Sequence, residues 1–354
     1  MTIAKKLLAW YQKHGRHDLP WQKNPTAYRV WVSEIMLQQT QVNTVIPYYQ
    51  RFMHSFPNLK SLALADVDDV LSHWSGLGYY ARARNLHRTA IILHKEHNGR
   101  FPKTVEALTD LPGIGLSTAG AIASFAMNIP ATILDGNVKR VLTRYFAVEG
   151  WPGKTAVHQA LWEIAKNNTP QANVNQYNQA MMDLGATICT RSKPSCEHCP
   201  LSADCIAHLE GREADFPFRK KPPARPTKET NILLLRRPSG EIFLERRPPT
   251  GIWGGLWSFP ECALDVDLKK HCEQHFQLKV LDYQTWETID HQFTHFHLKI
   301  KPVLIDVKPV SSCVMDSDSQ VWYKLSTALP GGISAPVKTL LKQFGKAHDT
   351  NSIL

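Results

Sequence analysis

No apolar run in this chain approaches the ~18 residues needed to cross a bilayer. There is no internal repeat and no long low-complexity tract, so a solenoid or a wholly disordered chain is excluded. Acidic residues are in short supply: 31 Asp and Glu stand against 41 Lys and Arg, a formal net charge of +10 over 354 residues. Such a surplus favours a polyanionic partner, nucleic acid before an anionic membrane. The opening stretch, MTIAKKLLAW from Met1 to Trp10, is too short and too interrupted for a signal peptide. It is expected to be the first amphipathic helix, with Ile3, Leu7, Leu8 and Trp10 on one side. The expected location is intracellular: cytoplasmic and nucleoid-associated. Cysteine is sparse too, with only 7 in the chain, and clustered cysteines in an unexported protein suggest metal binding before disulfides.

What the chain does have is 43% hydrophobic residues, enough to bury the cores of two ordinary domains. Up to about residue 210, apolar residues recur at helical spacing between short punctuators. Asn24-Pro25-Thr26 opens a helix reaching about Gln41, and Pro47 begins the next. Asp66 caps a helix carrying Val70, Leu71 and Trp74, and Gly76-Leu77-Gly78 breaks the chain before a helix from Tyr79 to His97. Further helices are expected over Ser117–Met127, Gly136–Tyr145, Thr155–Lys166 and Asn173–Thr187. Residues 1–215 are therefore an all-α domain with short loops. Residues 216–228, basic and Pro-rich, form a linker. From residue 229 to 354 the period changes to that of strands, at Asn231–Leu235, Glu241–Glu245 and within Gln292–Val307, with helices at Lys269–Phe276 and Val337–Phe344. This is a second, α+β domain.

Three features carry chemistry. The first is the spacing C-x6-C-x2-C-x5-C at Cys189, Cys196, Cys199 and Cys205. Four thiolates so close together suit one metal centre. Tetrahedral zinc is one reading; the asymmetric spacing also suits a 4Fe-4S cubane, whose irons are spread more widely. On spacing alone both stay open. The second is Leu111-Pro112-Gly113-Ile114-Gly115, a tight turn between helices. Its glycines permit positive φ, and the amides that follow face outward at a helix N-terminus, where they can hold a DNA phosphate. The third is a pair of carboxyl groups. Glu34 lies among Val30, Trp31, Ile35 and Leu37, surroundings that raise its pKa and suit a general acid. Asp135 caps a helix, a role worth about 1 kcal/mol, and could also face a developing cation. An acid paired with a second carboxylate is the arrangement that breaks glycosidic bonds through an oxocarbenium-like state.

These residues together resemble the helix-hairpin-helix base-excision DNA glycosylases, and within them the adenine DNA glycosylases of the MutY type. The resemblance is carried by Leu19-Pro20-Trp21, by Ser33 to Val42 (SEIMLQQTQV), by Gly76 to Arg82 (GLGYYAR), by the hairpin, by Leu134 to Val138 (LDGNV), by Asn178 to Gly185 (NQAMMDLG) and by the four cysteines. It implies an all-α helix-hairpin-helix catalytic domain with an iron-sulfur loop at 189–205, followed by a Nudix-like α+β domain. It implies that Glu34 protonates adenine and assists the attacking water, while Asp135 stabilises the oxocarbenium sugar. Gln39 and Tyr79 would wedge into the base stack, Thr40 and Leu77 would border the opposing oxidised guanine, and Trp21 and Gln179 would line the adenine pocket. Gly113 and Gly115 would clamp a phosphate together with a monovalent cation, and the cysteines would hold a 4Fe-4S cluster. The substrate would be duplex DNA with adenine opposite 8-oxoguanine or guanine. The protein would be a monomer with replication or repair proteins as further partners, and without a membrane.

Position 117 separates this family from its bifunctional relatives of endonuclease III type, which carry a lysine there. Ser117 cannot form an imine, so the expected product is an abasic site without efficient strand cleavage. In the second domain, Gly254 to Glu261 (GGLWSFPE) resembles the opening of a Nudix fold, but the segment that follows lacks the dense Arg and Glu box of a working hydrolase. The resemblance assigns lesion recognition to Phe293-Thr294-His295, where the family typically has Phe-Ser-His. Three competing readings are a bifunctional pyrimidine glycosylase, a nucleotide hydrolase, and a DNA-binding or redox-sensing protein without catalysis.

Overall fold

The structure, a computed structural model, describes residues 2–220, 224–310 and 319–351; positions 221–223 of the expected linker lie outside them. Two compact units emerge. One is Met1–Leu64 with Asn85–Pro222, the other Ala65–Arg84 with Pro223–Leu354.

Helices come first in the chain: α1 (Ile3–His14), α2 (Ala27–Leu37), α3 (Val42–Ser55), α4 (Leu59–Ala63), α5 (Val67–Trp74), α6 (Ala81–Glu96), α7 (Val105–Thr109), α8 (Leu116–Met127), α9 (Gly136–Tyr145), α10 (Thr155–Asn168), α11 (Val174–Thr187) and α12 (Ile206–Leu209). Several of these starts follow from capping chemistry. The Thr26 hydroxyl accepts from the Arg29 N–H at 3.3 Å, and Asp66 and Thr104 cap α5 and α7 in the same way. Pro47 departs from the sequence expectation. It lies inside α3, which begins at Val42. The missing N–H forfeits one helical hydrogen bond, offset by burial of Val45, Tyr49 and Phe52 on the same helix.

The core of the first unit joins Leu7 and Trp10 of α1, Val138, Val141 and Leu142 of α9, Leu161 of α10, and Tyr177, Met181 and Leu184 of α11. Against α2 packs α8, a helix of small residues with Ala119, Gly120, Ala121 and Ala123 all buried. Gly120 allows the run before α9 to approach closely: a Cβ there would stand 2.2 Å from the Thr132 carbonyl oxygen.

The second unit is built on a mixed sheet: β1 (Thr227–Arg236), β2 (Ile242–Arg246), β3 (Trp257–Ser258), β4 (Glu261–Cys262), β5 (Leu278–Thr285), β6 (Ile289–Gln292), β7 (His297–Pro309) and β8 (Gln320–Tyr323), with α13 (Leu268–Phe276) and α14 (Ala335–Asn351). The main path runs β3-β2-β1-β7-β5. Strands β1 and β7 are parallel, from Thr227 opposite His297 to Arg236 opposite Asp306. One face buries Leu233, Leu235, Phe243, Val303 and Ile305 against Cys272 and Phe276 of α13. β1 begins at Thr227, inside the stretch expected as linker, because pairing with β7 supplies the hydrogen bonds that local composition does not advertise. Helix α5 joins this unit through an Asp68–Arg246 ion pair at 2.8 Å and a Ser75 hydroxyl bond to the Ile333 carbonyl at 3.0 Å.

Gly120→Ala should overpack the α8 crossing and lower unfolding free energy by about 1–3 kcal/mol. Urea denaturation measures this, and an unchanged midpoint would refute the contact.

Candidate active site

In the first unit a cavity of about 250 Å³ opens between α2, the start of α11 and the chain around Trp21. Ligand pockets usually begin near ~300 Å³, so this one suits a single ring system. Trp21, Glu34 and Gln179 all line it, beside Tyr11, Ser33 and Phe125. Three residues expected at an adenine pocket are thus brought together. Glu34 is carried in by α2, whose Val30, Trp31, Ile35 and Met36 are buried around it. Its carboxyl group keeps some accessible surface because it borders the cavity, yet burial pushes its pKa up to about 8, with the charge of Asp135 adding to the shift. Near neutrality Glu34 is therefore a carboxylic acid, able to give a proton.

Asp135 sits at the N-cap of α9. Its Oδ1 accepts from the backbone N–H of Asn137 at 2.9 Å and of Val138 at 2.8 Å, and its Oδ2 accepts from the Asn137 amide at 3.0 Å. Burial raises its pKa, while these bonds and the Arg140 guanidinium pull the other way. It does not line the cavity but acts on Glu34 electrostatically. A residue whose role the sequence left at the level of an absent lysine shares in its placement: the Ser117 hydroxyl accepts from the Leu134 N–H at 3.0 Å, one residue before Asp135.

Gln39 and Tyr79, the two expected wedges, share a property that no sequence pattern announced. Both hold left-handed backbone, at φ 58° and 51°, and both side chains are exposed. A non-glycine residue in that region costs roughly 1–3 kcal/mol and recurs where a side chain must be presented. Thr40 is half-buried after α2, its hydroxyl bonded to the Gln38 carbonyl at 3.3 Å. Leu77, in the second unit, is buried and bonds through its N–H to the Trp74 carbonyl. At the hairpin, Gly113 has φ +79° and a Cβ there would press on Asn85 at 2.9 Å; Gly115 is the N-cap of α8 without a capping side chain, which leaves the following amides open. The Thr89 hydroxyl ties the turn to α6 through the Pro112 carbonyl at 2.8 Å.

Cys189, Cys196, Cys199 and Cys205 are all free and half-buried. Burial pushes the thiols of Cys196 and Cys199 up to about 12 and about 11, with further repulsion of Cys196 by Glu213, Cys189 and Cys199 and of Cys199 by Cys189 and Cys205. The four therefore converge. Yet among the described residues no three of their sulfurs lie within 4.8 Å of one another, whereas four ~2.3 Å bonds to one zinc ion require that. The spread fits a larger iron-sulfur cluster. The buried Arg144 faces it, donating to Cys189 Sγ at 3.2 Å and to the Thr190 carbonyl at 2.7 Å. Cys196 also groups with His208 and Glu213, neighbours that the cysteine spacing could not show.

In the second unit, the Phe293 N–H donates to the Phe296 carbonyl at 3.0 Å, closing a turn with Thr294 and His295 exposed at its tip. Phe293 stacks on Phe296 with centroids 4.6 Å apart and packs on Trp253 at 5.3 Å. Trp253 and His291 belong to this aromatic support; of the two, Trp253 went unnoticed in the sequence.

Residues 32–167 match the HhH-GPD superfamily of base excision DNA repair proteins, and residues 231–343 match a NUDIX domain. A thermostable thymine-DNA glycosylase of solved structure aligns with a TM-score of 0.54 at 28% identity, over 58% of this chain and 95% of that one. A non-covalent endonuclease III–DNA complex shares the helical fold, with a TM-score of 0.50 at 19% identity, over 59% and 94% of the two chains. The adenine DNA glycosylase of Buchnera aphidicola subsp. Acyrthosiphon pisum (strain APS) is 40% identical over 97% of this chain and 98% of its own. That of Mus musculus is 34% identical over 97% of this chain and 78% of its own. The chain belongs to the adenine DNA glycosylase family. No helix among the described residues is long and apolar enough to cross a membrane.

Because the folded protein keeps Glu34 protonated where the unfolded chain ionises it, stability falls as pH rises from about 4.5 to about 8. Glu34→Gln should therefore stabilise the protein at pH 7.5 and leave it unchanged near pH 4, as denaturation at the two pH values will reveal. Reconstitution with iron and sulfide should give broad visible absorption that Cys199→Ser abolishes. Tight zinc uptake without that colour would instead identify a tetrahedral site.

Proposed function

We propose that the chain hydrolyses the N-glycosidic bond of adenine mispaired with 8-oxoguanine or guanine in duplex DNA, leaving an abasic site. The observation that carries this reading is Glu34, its pKa raised by burial, bordering a cavity sized for one ring system, with Asp135 within electrostatic reach. Adenine's reacting atoms are inaccessible inside a duplex, so the base must be extruded against an unstacking cost of a few kcal/mol. Gln39 and Tyr79 fill the stack, and the hairpin around Gly113 and Gly115 holds a backbone phosphate together with a monovalent cation. The extruded adenine lies against Trp21 and Gln179. Glu34 gives its proton to the ring, which makes adenine a better leaving group. As the bond lengthens, positive charge grows on the sugar and the Asp135 carboxylate stabilises it. Glu34, now ionised, takes a proton from the attacking water.

Thr40 and Leu77 border the base opposite, and Phe293, Thr294 and His295 read it as oxidised guanine, with the Thr294 hydroxyl as the contact. The exposed tip at Thr294 and His295, stiffened by stacked aromatics beneath, supports that assignment. Cys189, Cys196, Cys199 and Cys205 hold a 4Fe-4S cluster, which when bound cross-links the loop that follows α11. Ser117, its hydroxyl already engaged by Leu134, offers no amine for a covalent imine, so strand cleavage is absent.

Free adenine should be released from duplexes with adenine opposite 8-oxoguanine or guanine and not opposite thymine. Excision should fall above about pH 8 as Glu34 ionises. Glu34→Gln should abolish excision while duplex binding persists and weakens steeply with salt. Borohydride should trap no covalent complex. Single-turnover excision by Glu34→Gln would remove Glu34 as the acid, and a trapped complex would overturn the monofunctional reading.

A further inference from the structure

Asp183 lies on α11, one helical turn beyond Gln179, and is fully buried. Its Oδ2 accepts from the Arg16 backbone N–H at 2.7 Å, and its Oδ1 accepts from Arg16 Nε at 2.9 Å and Nη2 at 2.6 Å. A fourth donor reaches the same oxygen: Gln179 Nε2, at 2.8 Å. A guanidinium and a peptide N–H can only donate, so this carboxylate is an acceptor toward every neighbour. A glutamine amide beside it must turn its NH2 group inward. The orientation of Gln179, free in most surface amides, is dictated here. With one Nε2 hydrogen committed to Asp183, the carbonyl oxygen Oε1 is the acceptor left for the cavity that Gln179 lines.

We propose that Asp183, held by Arg16, is a specificity-determining positioning residue: it locks Gln179 so that the cavity presents a hydrogen-bond acceptor to the 6-amino group of the bound base. This rests on the reading that the cavity takes adenine. A second amide lining the cavity has the opposite polarity. Gln22 Oε1 accepts from the Leu19 N–H at 3.2 Å, and its buried Nε2 has no partner. The cavity thus offers one fixed acceptor and one fixed donor. Adenine's pairing edge carries an amino donor at C6 beside an acceptor at N1. Guanine reverses both, with an oxygen at C6 and an N–H at N1, and would set acceptor against acceptor and donor against donor. Leaving buried polar groups so mismatched costs roughly ten- to a hundredfold in rate. The family resemblance pointed to Gln179 but not to what decides which end of its amide faces the base.

Asp183→Ala tests the lock. Alanine removes the acceptor that Gln179 shares with Arg16, so nothing directs the amide, which is free to rotate and offer its NH2 to the cavity. Single-turnover release would be compared, in full-length protein, from duplexes carrying adenine or unsubstituted purine, which lacks the 6-amino group, opposite guanine. The wild-type preference for adenine over purine should fall by about tenfold or more in Asp183→Ala, with duplex binding kept. A merely structural role would slow both substrates alike and leave the ratio intact, and an unchanged ratio overturns the proposal. Because disturbing a buried ion pair can unfold the protein, Gln179→Leu, which leaves the Asp183–Arg16 pair in place, supplies a second arm. It too should lose dependence on the 6-amino group, and retention of the full preference there is equally fatal. Wild-type protein that released no adenine from any mispair would remove the functional reading itself, a result visible before either variant is made.

Discussion

The proposed chemistry depends on the different surroundings of two neighbouring carboxyl groups, Glu34 and Asp135. Two carboxyls near each other cannot both ionise cheaply, and the surroundings decide which gives way. Glu34 arrives on a helix whose neighbouring positions are buried apolar side chains, and burial dominates its shift. Asp135 is also buried, but two backbone N–H groups, the Asn137 amide and the Arg140 guanidinium favour its charged form. The contrast between the two carboxyls comes from one helix that brings Glu34 in on its flank and another that begins at Asp135.

The start of α9 serves two ends at once. As an N-cap, Asp135 satisfies amides that the helix itself cannot, and this same bonding fixes the carboxylate in one orientation. The run leading into it is pinned from α8, by the Ser117 hydroxyl on the Leu134 N–H and by close approach at Gly120. On the far side, Arg140 joins Asn137 to the carbonyls of Gly185 and Cys189. The cysteine loop and α9 are thus parts of one hydrogen-bonded scaffold, so placing Asp135 is not a local matter.

Much of this was legible in the residues, and the exceptions are instructive. Helix starts read well wherever a capping side chain precedes an apolar period, as at Thr26, Asp66 and Asp135, because the signal is local. The apolar surroundings of Glu34 were legible because large apolar residues occupy several faces of its helix. Pro47 misled, since local preference favours proline at a helix start while tertiary burial carried the helix through it. The start of β1 was hidden in a basic, Pro-rich stretch because its partner lies some seventy residues on, at His297. Left-handed backbone at Gln39 and Tyr79 leaves no mark on side-chain periodicity. The Gln179–Asp183 pair was the nearest miss, for a glutamine four residues before an aspartate on one helix face is a readable pattern, but only burial shows that it controls an amide's direction.

The placement of α5 bears on how the chain is made. Residues 65–84 emerge from the ribosome well before Pro223, yet Val70, Leu71 and Trp74 are buried in a unit completed by the carboxy-terminal residues, with Leu71 against Gly332. Until those residues are synthesised, Leu71 lacks the backbone at Gly255 and Gly332 that packs on it in the finished fold. A stop codon near residue 220 would therefore remove more than the strands of the second unit, because it would also take partners from a helix encoded far upstream: Arg246 from Asp68 and the Ile333 carbonyl from Ser75.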